Sequence, residues 1–190
     1  MKLKLEVMRK IFNIGLLVLA ATMFTSCEKI KDIFDVEEDT MLEGWLNIEV
    51  DEAVMKTTNG YEFSEKVLVS PLDDEDIAEY EENIERIKAT NVIATIKDVS
   101  KDDVVFEAGT KIIVKGTTEL TWELKEPWPI VVGDEITLGD DVDLKLYKKI
   151  TQMLSDFETL TIIAEGECNQ TNVYVTLVVG IDVTFTANPL

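Results

Sequence analysis

Several stretches of this chain place apolar residues at every second position, a period that matches the two-faced side-chain alternation of a strand. In Trp45-Leu46-Asn47-Ile48-Glu49-Val50-Asp51 the even positions are apolar and polar residues stand between them. Toward the other end, Val173, Val175, Leu177 and Val179 face one way. Gly180 marks a bulge, and Ile181, Val183 and Phe185 continue beyond it. Seven strands are predicted, over 45–51, 61–69, 92–99, 104–124, 130–138, 159–168 and 173–187. Asn59-Gly60 supplies a hairpin turn between the first two, and Asn169-Gln170-Thr171-Asn172 joins the last two. The long fourth strand bulges at Gly109 or Gly116, and Pro127-Trp128-Pro129 breaks the pattern after it.

Two segments follow the helical period instead. Ser70 is a fit N-cap, Pro71 suits the first helical position and Asp73 completes a capping-box spacing. Ile77, Tyr80, Ile84 and Ile87 then form one apolar stripe, which predicts a helix reaching Lys88. A second helix is predicted over 141–157, on the spacing of Leu144, Tyr147, Ile150 or Thr151, Leu154 and Phe157. Strand-rich order without regular β-α alternation predicts a mainly β fold. We expect an antiparallel, immunoglobulin-like β-sandwich of about seven strands with two crossover or capping helices.

The first residues carry an address. Lys2, Lys4, Arg9 and Lys10 make a positive stretch, and Ile11 to Ala21 is a mostly apolar run too short to cross a bilayer core. Phe24-Thr25-Ser26-Cys27 follows. Small residues before a cysteine at this place resemble a lipobox, with Phe24 in place of the usual Leu or Val. That resemblance implies acylation of Cys27 and removal of residues 1–26. The looser motif resembles that of Bacteroidota lipoproteins, as does the segment after it, where Glu28, Asp32, Asp35, Glu37, Glu38, Asp39 and Glu43 are interrupted by Lys29 and Lys31. Asp39-Thr40-Met41 resembles the short O-glycosylation motif of the same group. We expect a signal peptide over 1–26, an acidic tether over 27–43 and one sandwich domain over 44–190. The ending Ile181-Asp182-Val183-Thr184-Phe185-Thr186-Ala187-Asn188-Pro189-Leu190, with the helix feeding a strand, is similar to small Bacteroidota lipoproteins of sandwich fold. The resemblance implies location in the cell envelope, at the outer membrane on its periplasmic face or at the cell surface. It brings no catalytic residue with it.

Composition narrows the partners. A hydrophobic fraction of 46% and a charged fraction of 29% belong to a globular chain. The full chain has 18 basic and 38 acidic residues, a net charge of −20. Residues 1–26 hold four bases against Glu6, a net of +3, so residues 27–190 carry −23. Such a surface repels nucleic acid and anionic lipid, and neither is an expected partner. The absence of histidine removes the Ser-His-Asp triad, the Cys-His pair and His-ligated zinc. Once Cys27 is acylated, Cys168 has no intramolecular partner for a disulfide, and it reads as a small apolar strand residue.

No catalytic constellation emerges. The serines sit in no Gly-x-Ser-x-Gly elbow, and no phosphate-binding loop is present. The Asp73–Asp76 quartet lacks the alternating ligands and the turn glycine of an EF-hand, and suits a helix N-terminus. No metal or cofactor is expected. Carboxylates are plentiful, yet no pair stands out as the flanking acids of a glycosidase. The candidates for a binding face are the tryptophans. Trp122 and Trp128 lie near one loop, flanked by Glu123, Lys125 and Glu126, as in sugar-stacking sites; Trp45 and Trp122 are also natural core residues. The expected function is a non-enzymatic envelope lipoprotein that binds protein or glycan as an interaction or adhesion module. The alternatives are an accessory lipoprotein docking a basic partner, and a carboxylate hydrolase.

Overall fold

The computed structural model of the chain describes residues 36–52, 57, 60–138 and 144–188. The leader, Cys27, residues 28–35 of the expected tether, Asn59 of the expected turn and residues 141–143 of the expected helix lie outside them.

The described chain is mainly β and folds as two antiparallel sheets packed in a sandwich. Its strands are β1 (Val36–Val50), β2 (Tyr61–Val69), β3 (Ile84–Val99), β4 (Val105–Phe106), β5 (Lys111–Lys115), β6 (Glu119–Glu123), β7 (Trp128–Pro129), β8 (Glu135–Thr137), β9 (Leu160–Cys168) and β10 (Val173–Ala187). One sheet runs in the order β1-β10-β3-β8. The other is built on β9, which pairs with β2 along one edge and with β5 and β4 along the other; β6 and β7 extend it. The strands thus number ten where seven were expected. The stretch 104–124 turns twice to give β4, β5 and β6, and the Pro-Trp-Pro segment, read as a break, contributes β7.

The alternation seen in the sequence becomes the core. Leu46, Ile48 and Val50 of β1 and Val175, Leu177 and Val179 of β10 turn inward to meet Phe63, Ile112, Val114, Leu160 and Ile162 of the other sheet. Each such side chain, fully buried, contributes about 1.5–3 kcal/mol of transfer free energy. The sheets approach closely at Gly44. A β-carbon there would stand 2.8 Å from Ile162 Cδ1 and 3.0 Å from Val67 Cγ1. Cys168 ends β9 fully buried, and burial pushes its thiol pKa up, against a lowering hydrogen bond from the Gln170 backbone. The Asn169–Asn172 segment is a turn, as read from the sequence. Its Asn169 amide donates to the Asp103 carbonyl at 2.9 Å and accepts from Val105 N–H at 2.9 Å.

Three boundaries differ from expectation. The first helix, α1 (Glu75–Glu79), is a single turn, capped by Asp74, whose Oδ1 accepts from Ile77 N–H at 3.0 Å. From Ile84 onward the same stripe is strand: Ile84 and Ile87 lie in β3 and pair with Ala187 and Phe185 of β10. A second helix, α2 (Leu144–Ser155), buries Ile150, Met153 and Leu154 and packs against β3, where Thr151 Oγ1 accepts from Ala89 N–H at 3.0 Å. The third difference lies in the expected tether. Residues 36–43 are strand, in continuous register from Val36 opposite Ala187 to Glu43 opposite Gly180. The folded body therefore starts at or before Val36, and residue 44 is no boundary. Thr40 of the glycosylation-like motif is half-buried, its hydroxyl donating to Asp74 Oδ2 at 2.8 Å.

Candidate binding face

The parity that sends Leu46, Ile48 and Val50 inward sends Glu43, Trp45, Asn47 and Glu49 outward. Trp45 is 49% exposed, so the expectation that it fills the core is corrected: strand parity outweighs the preference of large aromatics for the interior. Its indole N–H donates to Glu43 Oε2 at 3.0 Å, two residues back on the same face. Opposite it on β10 stands Val178, which also faces outward but is only 2% exposed. One step along, Gly180 lies beneath Met41, whose Sδ would be 2.8 Å from a β-carbon on that glycine. Met41 itself is exposed. Val178 and Gly180 of β10, with Ile93 of β3 opposite Gly180, therefore form a low apolar strip beside Trp45 and Met41 of the edge strand β1.

Polar side chains around this strip are ordered by one another. Asn47 Oδ1 accepts from Tyr174 Oη at 2.9 Å and from Thr176 Oγ1 at 3.4 Å. Asp39 Oδ1 accepts from Thr184 Oγ1 at 2.6 Å. Farther across, Thr95 Oγ1 donates to Glu135 Oε1 at 3.5 Å. The result is a flat face with one half-open indole, ringed by carboxylates and amides.

The other two tryptophans sit differently. Trp122 of β6 lies opposite Ile112 and is half-buried against the core. Trp128 of β7 lies opposite Phe106 and meets its ring edge-on, with centroids 6.4 Å apart at 78°. Both lean into the second sheet's inner side, so the two do not form one exposed stacking platform. Sequence reasoning weighed the indole beside the Pro-rich loop above the one in a strand; the signal that singles out Trp45 is its odd position among inward-facing even residues.

A second feature is an open groove of about 580 Å³ on the outer side of β2 and β9. Glu62, Ser64, Lys111, Glu165 and Glu167 line it. Lys111 Nζ stands 4.0 Å from Glu165 Oε1, so the groove holds its own counter-charge. Glu167 Oε2 is closed off from solvent without a hydrogen-bond partner. Among the described residues no group of three or more His, Cys, Asp or Glu side chains is disposed to hold a metal ion. No helix among them is long and apolar enough to cross a membrane. In the acidic quartet, Asp74 is occupied in capping α1.

No family model matches the chain. No curated protein matches it either. Among solved structures, that of Desmodium yellow mottle tymovirus is 9% identical, covers 82% of this chain and 90% of its own, and has a TM-score of 0.32. A semi-empty virus-like particle of Macrobrachium rosenbergii nodavirus is also 9% identical, over 82% of this chain and 96% of its own, with a TM-score of 0.32. Likenesses at such scores carry no argument.

Proposed function

We propose that this chain is a non-enzymatic, lipid-anchored binding module of the bacterial cell envelope, held at the outer membrane through Cys27. It engages a protein or glycan through the outer face of the β1-β10-β3-β8 sheet. The observation that carries the binding reading is the half-exposed indole of Trp45, set beside an apolar strip and steadied by Glu43 on an ordered polar face. A monomeric surface gains nothing in stability from an open indole of this kind, whereas a partner gains a large rigid contact at low entropic cost. The anchoring reading is supported by the leader-like residues 1–26 and the small residues before Cys27. Several acyl chains on one residue anchor stably, since each buried methylene adds about 0.8 kcal/mol.

Two measurements test the reading. Cys27→Ala is expected to move the protein from the membrane fraction to the soluble one, or to stall its processing, with loss of the acyl mass. Unchanged fractionation and unchanged mass would remove the anchor. Trp45→Ala is expected to abolish retention on immobilised glycan or protein ligands that hold the wild type. Retention unaltered by that substitution would remove the binding face.

A further inference from the structure

The indole and hydroxyl donors around Trp45 are bonded within the face itself. The indole N–H of Trp45 is committed to Glu43, the hydroxyls of Tyr174 and Thr176 to Asn47, that of Thr184 to Asp39 and that of Thr95 to Glu135. Beside the Asn47 amide, the band around Trp45 offers an incoming molecule the carboxylates of Glu43, Glu49, Glu135 and Asp182. Of the bases of this sheet, Arg86 and Lys88 stand toward the start of β3, and Lys97 lies two residues beyond Thr95 on the same outward face. Around them residues 27–190 carry a net charge of −23.

Carboxylates around an open indole, on a chain of strong negative charge, favour a cationic ligand. Guanidinium and ammonium groups are that ligand: five and three N–H donors, with no acceptor. They also suit the ring, because a cation over an indole face is drawn to its π-electrons. A neutral glycan gains nothing from that negative charge. We infer that the Trp45 face docks an extended, arginine- or lysine-bearing segment of a partner protein, with one cationic head over the Trp45 ring and neighbouring ones paired with Glu43, Glu135 and Asp182. This deepens the binding-module reading and rests on it.

The intact lipidated protein in neutral detergent is titrated with three labelled probes: a peptide alternating Arg and Ser, its counterpart with Glu for Arg, and a neutral glucan oligosaccharide. The Arg peptide is expected to bind and the Glu peptide not to. Raising salt from about 50 mM to about 300 mM is expected to weaken the Arg peptide about tenfold. Trp45→Ala changes no charge, and is expected to weaken it about tenfold. Glu43→Gln keeps an acceptor for the indole and is expected to weaken it about threefold. Glu62→Gln, on the opposite sheet, leaves it unchanged. All three residues are exposed, and circular dichroism melts confirm that the variants stay folded. If Trp45→Ala binds the Arg peptide as the wild type does, the attraction is diffuse charge and the inference falls. If the glucan binds through Trp45 and the Arg peptide does not, the inference falls while the binding module stands. If no probe binds through Trp45, both fall.

Discussion

Two glycines of neighbouring β1 and β10 show how far a residue's consequence depends on what faces it. At Gly44 an added methyl meets Ile162, Val67 and Val69, branched side chains of the opposing sheet with no room to retreat. Gly44→Ala is expected to cost about 1–3 kcal/mol in equilibrium denaturation, the usual cost of overpacking a core. At Gly180 the same methyl meets the thioether of Met41, the flexible end of an exposed chain. Gly180→Ala is expected to change stability by less than about 1 kcal/mol, since that thioether swings aside. The inward set of β1 was legible residue by residue, because Leu46, Ile48 and Val50 alternate with polar neighbours. The same alternation gave the outward place of Trp45, but the affinity of aromatics for cores argued the other way. Trp122 and Trp128 were less legible: the loop between them displays its prolines and carboxylates in sequence, while their ring partners, Ile112 and Phe106, come from strands that only the folded topology brings alongside.

At the level of elements, the sandwich and its two helical excursions could be read from the sequence, and their boundaries could not. The stripe Ile77, Tyr80, Ile84, Ile87 satisfies a helix, yet its second half is β-branched and lies beside the free edge of a fifteen-residue β10. Pairing from Ile84 to Val99 satisfies that edge, so the helix ends after one turn. Residues 36–43 are the converse case. Of their inward positions Leu42 alone is buried; Val36, Glu38 and Thr40 are half-buried and two of these are polar, so no apolar alternation announces a strand, and β10 imposes one by register. Glu38 is close enough to α1 that its charge, more than burial, raises the Tyr80 pKa. The single turn of α1 depends on Asp74, which caps it and also accepts from Thr40 of β1. Asp74→Ala is expected to lower stability by about 1–2 kcal/mol, and Asp74→Asn by less, because the amide oxygen still caps; urea denaturation of the two variants checks the order.

For the molecule as a whole, charge is the dominant fact. Three ion pairs among the described residues, Lys111–Glu165, Lys115–Glu119 and Lys125–Glu123, have separations of 3.7–4.0 Å and lie in solvent, where each contributes little. They do not offset a net of −23 over residues 27–190, which works against the compact state by self-repulsion. Raising sodium chloride by about 0.2 M is therefore expected to raise the melting temperature by a few degrees, through screening. A flat or falling melting temperature would mean that local pairs outweigh the global field.

The early start of β1 also sets where a partner has to stand. From Cys27 to Val36 there are nine peptide steps, which span at most about 30 Å however they run. On the proposed anchoring this is a short leash. It leaves from the end of the sandwich where β1 begins beside Ala187, and Trp45 lies on the flank rather than at the far tip. Nine residue steps of β1 separate Val36 from Trp45, about 30 Å of strand, so on that anchoring the face stands within about 60 Å of the lipid. A neighbour that rises about as far from the same membrane meets that face.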